Sequence, residues 1–73
     1  MAEHIVESPA PGKILKMFAE AGKPVTAGAR LCLMEALKME LPIVAPVGGT
    51  VKILHVSAGQ SVEAGDPLAV IEA

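Results

Sequence analysis

The chain has 73 residues, enough for one small domain (1–73) and no more. Eight acidic and six basic side chains leave a net charge of −2, without the clustered basic surface that nucleic acid requires. No apolar stretch is long enough for a membrane-spanning helix, and Met1-Ala2-Glu3-His4 lacks the basic start and apolar run of a secretory signal. The lone cysteine, Cys32, excludes an internal disulfide framework, and together with His4 and His55 it does not have the spacing of a zinc site. These features predict a cytoplasmic or organelle-matrix domain. Phe18 is its only aromatic residue, so the core must come from Val, Ile, Leu and Ala, with little room for a pocket.

In chain order, Ile5-Val6 predicts a first short strand and Lys13-Ile14-Leu15-Lys16-Met17-Phe18, following a glycine, a second. Ala21-Gly22-Lys23-Pro24 is turn chemistry, and Gly28-Ala29 punctuates again before an apolar strand, Leu31-Cys32-Leu33-Met34. Leu41-Pro42-Ile43-Val44 and Thr50-Val51-Lys52-Ile53-Leu54-His55-Val56 read as further strands. Ala58-Gly59-Gln60-Ser61 and Gly65-Asp66-Pro67 are turns, and Leu68-Ala69-Val70-Ile71 closes the series. Seven glycines and six prolines leave almost no window for a helix, so the reading is all-β, six to eight strands in a small sandwich or barrel.

The chain also repeats itself. Shifted by 37 positions, residues 8–36 lie over 45–73 without a gap, and ten of the 29 positions are identical. Gly12, Gly22 and Gly28 fall on Gly49, Gly59 and Gly65, positions where other residues would strain the backbone. Two copies are too few for a solenoid. They predict two intertwined halves related by a pseudo-twofold.

Between the halves lies Met34-Glu35-Ala36-Leu37-Lys38-Met39-Glu40-Leu41. If its flanking strands pair, Leu37 and Lys38 form the tip, where a two-residue hairpin normally prefers Asn-Gly or Asp-Gly. A locally poor choice of this kind is expected where function selects the residue.

Glu35-Ala36-Leu37-Lys38-Met39 resembles the Glu-Ala-Met-Lys-Met signature of biotinyl domains, the carrier modules of biotin-dependent carboxylases, decarboxylases and transcarboxylases. Ser8-Pro9-Ala10-Pro11-Gly12 looks like that family's opening turn. Ala45-Pro46-Val47-Gly48-Gly49-Thr50-Val51 is similar to the run that follows its hairpin, and the likeness extends roughly from Glu7 to Glu72. The resemblance implies a flattened barrel of two four-stranded antiparallel sheets, with the lysine at one end and the termini near the other. It implies biotin as the cofactor, amide-linked to Lys38 by a separate biotin protein ligase that presents an activated biotinyl-adenylate. That help is needed because a free lysine amine, with a pKa of about 10.4, is a poor nucleophile near neutrality. Glu35, Ala36, Leu37, Met39 and Glu40 would be the surface the ligase reads.

By the same resemblance the finished arm serves two enzymes. Biotin carboxylase loads a carboxyl group from bicarbonate with ATP, and a carboxyltransferase moves it to or from an acyl or keto acid. Tethering raises the effective concentration at both sites. The domain itself is read as a carrier without catalytic residues. One position departs from the signature, Leu37 standing where Met is usual. Leu is close to Met in volume and apolarity but less adaptable as a recognition surface, so Leu37→Met is expected to raise the biotinylation rate without affecting folding. The gapless repeat leaves no room for the family's optional protruding loop, which argues against the bacterial acetyl-CoA carboxylase type of carrier.

Two alternatives stand beside this reading. A lipoyl domain of a 2-oxoacid dehydrogenase complex shares the fold, but usually has Asp before the lysine and a small residue after it, where this chain has Leu37 and Met39. The other is an unmodified structural relative. A free-standing subunit and a domain of a longer polypeptide both remain open. The remaining marked residues have structural readings: Cys32 as small buried filler, Met17 and Met34 as core, and His4 and His55 on the surface or at strand edges.

Overall fold

In the second predicted strand, apolar Ile14 is flanked by outward-facing residues, and Val51, thirty-seven residues on, repeats the arrangement; both are fully buried. The computed structural model describes residues 2–73 and contains eight strands: β1 (Glu3–Glu7), β2 (Gly12–Met17), β3 (Pro24–Val25), β4 (Arg30–Ala36), β5 (Met39–Val44), β6 (Gly49–Leu54), β7 (Ser61–Val62) and β8 (Pro67–Glu72). They form two four-stranded antiparallel sheets, ordered β1-β8-β6-β3 and β5-β4-β2-β7. Each sheet takes its two central strands from one half of the repeat, its two-residue edge (β3 or β7) from the other half, and its longer edge (β1 or β5) from the segment leading into that other half, so the halves are interlocked. Among the described residues there is no helix, hence none long and apolar enough to cross a membrane.

The core lies between the sheets. Ile14, Leu31, Met34, Val51, Leu68 and Ile71 are its largest fully buried side chains, each contributing roughly 1.5–3 kcal/mol by leaving water. Met17 packs half-buried against this cluster, and Cys32 and its repeat partner Ala69 are both buried. Burial also raises the Cys32 thiol pKa, which keeps it protonated and inert.

Two glycines in register set how closely the strands approach. A Cβ on Gly12 would overlap the backbone carbonyl of Glu35, and one on Gly49 would overlap that of Glu72. Gly22, Gly28, Gly59 and Gly65 hold φ between 86° and 91°, as the aligned turns require.

The structure differs from the sequence reading in three places. Pro24 and Ser61, read as turn residues, begin the two-residue strands β3 and β7, which pair with β6 and β2. The long second and sixth strands stop early, at Met17 and Leu54, leaving Phe18 and His55 outside the ladders. Both strands also carry a bulge, at Leu15 and at Lys52, where the partner register slips by one.

Candidate functional site

The link between the halves is a β-hairpin. Ala36 pairs with Met39, Glu35 with Glu40 and Met34 with Leu41, so Leu37 and Lys38 are the whole of the turn. Their φ values are 52° and 64°, the left-handed pair that defines a type I′ turn, and among the described residues no other non-glycine has positive φ. Each costs about 1–2 kcal/mol relative to a right-handed conformation. The hairpin therefore accepts strain to put two ordinary side chains at its tip.

Those side chains stand clear of the barrel. Leu37 is 90% exposed, Met39 62%, and Lys38 is exposed as well. Lys38 makes no salt bridge; among the described residues the only ion pairs belong to Lys52. Glu35 and Glu40 sit opposite each other on the outer face, with Lys13 the register partner of Glu35 on the neighbouring strand. Of the five residues read from the sequence as surrounding Lys38, four are exposed. Ala36 is the exception: only 4% exposed, it belongs to the core beneath the turn and offers the outside its backbone alone.

The base of the hairpin is fixed from below. Met34, two residues before Ala36, is fully buried. Ser8, the one buried polar residue among those described, donates its hydroxyl to the Ala10 carbonyl at 2.7 Å, with its oxygen 3.7 Å from Met34 Sδ. Sequence reasoning treated Ser8 only as part of an opening turn. The available signal was its alignment with Ala45, a buried small residue. Because β1 starts beside Ala73 and its following residue rests on Met34, hairpin and termini occupy opposite ends of a body 36 Å long.

Other features do not converge on Lys38. A surface depression of about 530 Å³ is lined by Phe18, Val25 and Arg30, at the far end of β4. No three His, Cys, Asp or Glu side chains among the described residues group as metal ligands. His4 lies on edge strand β1 and His55 is exposed beyond β6.

The profile of the Biotin_lipoyl family, described as "Biotin-requiring enzyme", matches residues 4–71. The chain belongs to this family. A biotin carboxyl carrier protein of Streptococcus mutans is 46% identical over 96% of this Biotin_lipoyl domain, and pyruvate carboxylase of Bacillus subtilis 45% identical over 94%. The domain spans 54% of the first protein and 6% of the second. Among solved structures, urea carboxylase of Kluyveromyces lactis superposes with a TM-score of 0.90 at 33% identity, over 99% of this chain and 6% of that one. The fold and the family are thus those the hairpin motif implied. In this Biotin_lipoyl domain the hairpin turn carries an exposed lysine amine with no ionic partner among the described residues.

Proposed function

We propose that this chain is a biotin carboxyl carrier and that Lys38 is the residue biotinylated. The observation that carries the reading is the strained Leu37-Lys38 turn, which presents one unpaired lysine at the tip of a barrel whose relatives are biotin carriers and carboxylases. A biotin protein ligase would acylate Lys38 Nζ from biotinyl-adenylate, reading the exposed Leu37, Met39, Glu35 and Glu40 around it; the acyl–phosphate bond breaks and AMP leaves as the amide forms, and the ammonium gives up two protons and its positive charge. Bound biotin supplies a ring nitrogen able to hold a carboxyl group. The chain's own part is to hold the attachment point rigid while the tethered arm reaches biotin carboxylase and then carboxyltransferase. Raised effective concentration is the physical gain.

The domain acts as a carrier and not as an enzyme. Ser8 and Cys32 are both buried, the first already hydrogen-bonded and the second kept protonated by its apolar setting, while the exposed Ser57 and Ser61 lie on the loop and short strand after β6. We assign the carrier to the cytoplasm, or to an organelle matrix where it forms part of a larger carboxylase, as a lone buried thiol fits a reducing compartment.

Intact mass before and after incubation with biotin protein ligase, biotin and ATP tests the reading, with lipoate and a lipoyl ligase in parallel. One biotinyl increment is expected, mapping to Lys38 and absent from Lys38→Arg, whose melting temperature is unchanged. A lipoyl increment alone would assign the chain to the dehydrogenase complexes, and no increment from either would leave an unmodified relative.

A further inference from the structure

The two sheets expose pseudo-equivalent edges that differ in one decisive residue. Just before β1, Ala2 exchanges both backbone hydrogen bonds with Ala73, at 3.0 and 2.9 Å, and just after it Ser8 bonds to Asp66 and Gly65. The even-numbered residues of this edge therefore bond inward to β8, and by antiparallel alternation Glu3, Ile5 and Glu7 turn their N–H and C=O groups away from the sheet. Among the described residues no other strand lies against β1. On the opposite sheet the hairpin pairing of Ala36 with Met39 turns Glu40, Pro42 and Val44 outward on edge strand β5. Pro42, which aligns with Ile5, has no N–H to offer, so that edge is blocked at its centre. The β1 edge is open.

The faces beside these edges differ in the same sense. Ile5, Val70 and Ile53 are register neighbours across β1, β8 and β6 on the outer face. Ile5 is 61% exposed and Ile53 41%, while Val70 between them is 6% exposed and belongs to no part of the inner core. The equivalent row on the other sheet is Pro42, Leu33 and Lys16. An apolar shelf thus runs up to the open edge only.

We infer that the β1 edge docks an extended segment of another polypeptide, one with basic residues on either side of a central apolar residue. Strand addition would satisfy the free backbone groups of Glu3, Ile5 and Glu7. The apolar side chain would extend the Ile5–Val70–Ile53 row, and the flanking cations would face Glu7 on one side and, on the other, Glu3, which with Glu72 and their shared partner Lys52 keeps a net charge of −1. The same carboxylates oppose a second copy of this chain, because antiparallel pairing of two β1 strands about Ile5 sets Glu3 against Glu7 twice. The inference is independent of any modification at Lys38.

The test uses the whole chain and a nine-residue peptide with Lys-Thr-Val-Thr-Lys at its centre, against a counterpart with both lysines changed to glutamate. Nitrogen–proton correlation spectra are expected to show shifts at Glu3, Ile5 and Glu7, with Leu37 and Lys38 unmoved, and about tenfold weaker binding of the acidic peptide. Ile5→Pro removes the central donor and Glu7→Lys reverses one charge; both should weaken the basic peptide, with circular dichroism checking the fold. Retained binding in a folded Glu7→Lys, equal binding of both peptides, or no shift in β1 would overturn the inference. So would β1 shifts that track protein concentration without peptide, since the occupant would then be a second copy.

Discussion

The hairpin end and the terminal end of the barrel are built on one plan and used differently. At the first, Ala36 pairs with Met39 and Glu35 with Glu40; at the second, thirty-seven residues away on each strand, Ala73 bonds to Ala2 and Glu72 pairs with Glu3. Each end is closed by a glycine whose missing Cβ lets a glutamate carbonyl approach, Gly12 under Glu35 and Gly49 under Glu72. The paired carboxylates meet different company. At the terminal end the bulged Lys52 bonds to Glu3 and lies 3.8 Å from Glu72, whereas the bulge residue at the hairpin end is Leu15. Backbone architecture obeys the repeat, and charge does not. Positions that break the symmetry, namely Leu37, Lys38 and Leu15, are where the proposed function separates one end from the other.

The comparison breaks most easily at the shared glycines. Gly12→Ala and Gly49→Ala should each destabilise the chain by about 3 kcal/mol, since the new methyl meets rigid backbone. Urea unfolding that left one variant near wild type would show that the two ends are not held alike. A smaller effect, of opposite sign, is expected at the turn. Leu37→Gly relieves a left-handed leucine and should stabilise by about 0.5–1 kcal/mol, read as a melting temperature a few degrees higher. No gain would mean that the turn relaxes its strain in another way. Leu37→Met should leave the melting temperature unchanged and raise the biotinylation rate; an equal or slower rate would show that Leu37 is no compromise.

The smallest effect belongs to Lys52. Its hydrogen bond to Glu3, helped by attraction to Glu3 and Glu72, raises its pKa in the folded chain. A raised folded value means that the contribution is complete at neutral pH and fades as pH climbs past about 10.4, the ordinary lysine value. At this exposed site it is also screened by salt. Lys52→Met should therefore shift the unfolding midpoint slightly at pH 7 in low salt, not at all in high salt, and progressively less as the pH rises beyond the ordinary lysine value. An identical shift under every condition would point to lost packing instead.

Most of this organisation was legible without coordinates. Aligned glycines gave the turns, short apolar runs gave six of the strands, and a glycine-free tip between gapless halves marked Lys38. What escaped has a physical reason in each case. The strands β3 and β7 are two residues long, too short for any alternation, and exist only because β6 and β2 offer them partners. The bulges at Leu15 and Lys52 break the period of two inside segments that otherwise keep it. Ala36 reads as part of a surface motif but alternates inward, one residue before the turn. The row of Ile5, Val70 and Ile53 joins residues from both ends of the sequence, and only the register brings them side by side.

The bonded pair of Ala2 and Ala73 has a consequence for how the chain could be threaded. The two residues stand to each other as Met39 stands to Ala36, so a two-residue Asn-Gly bridge between them would make a second type I′ hairpin in place of the ends. A circular permutant opened between Leu37 and Lys38 would then trace the same eight strands in a new order. The lysine would become a chain terminus, and the identity of the two ends would be exchanged without moving a single core side chain.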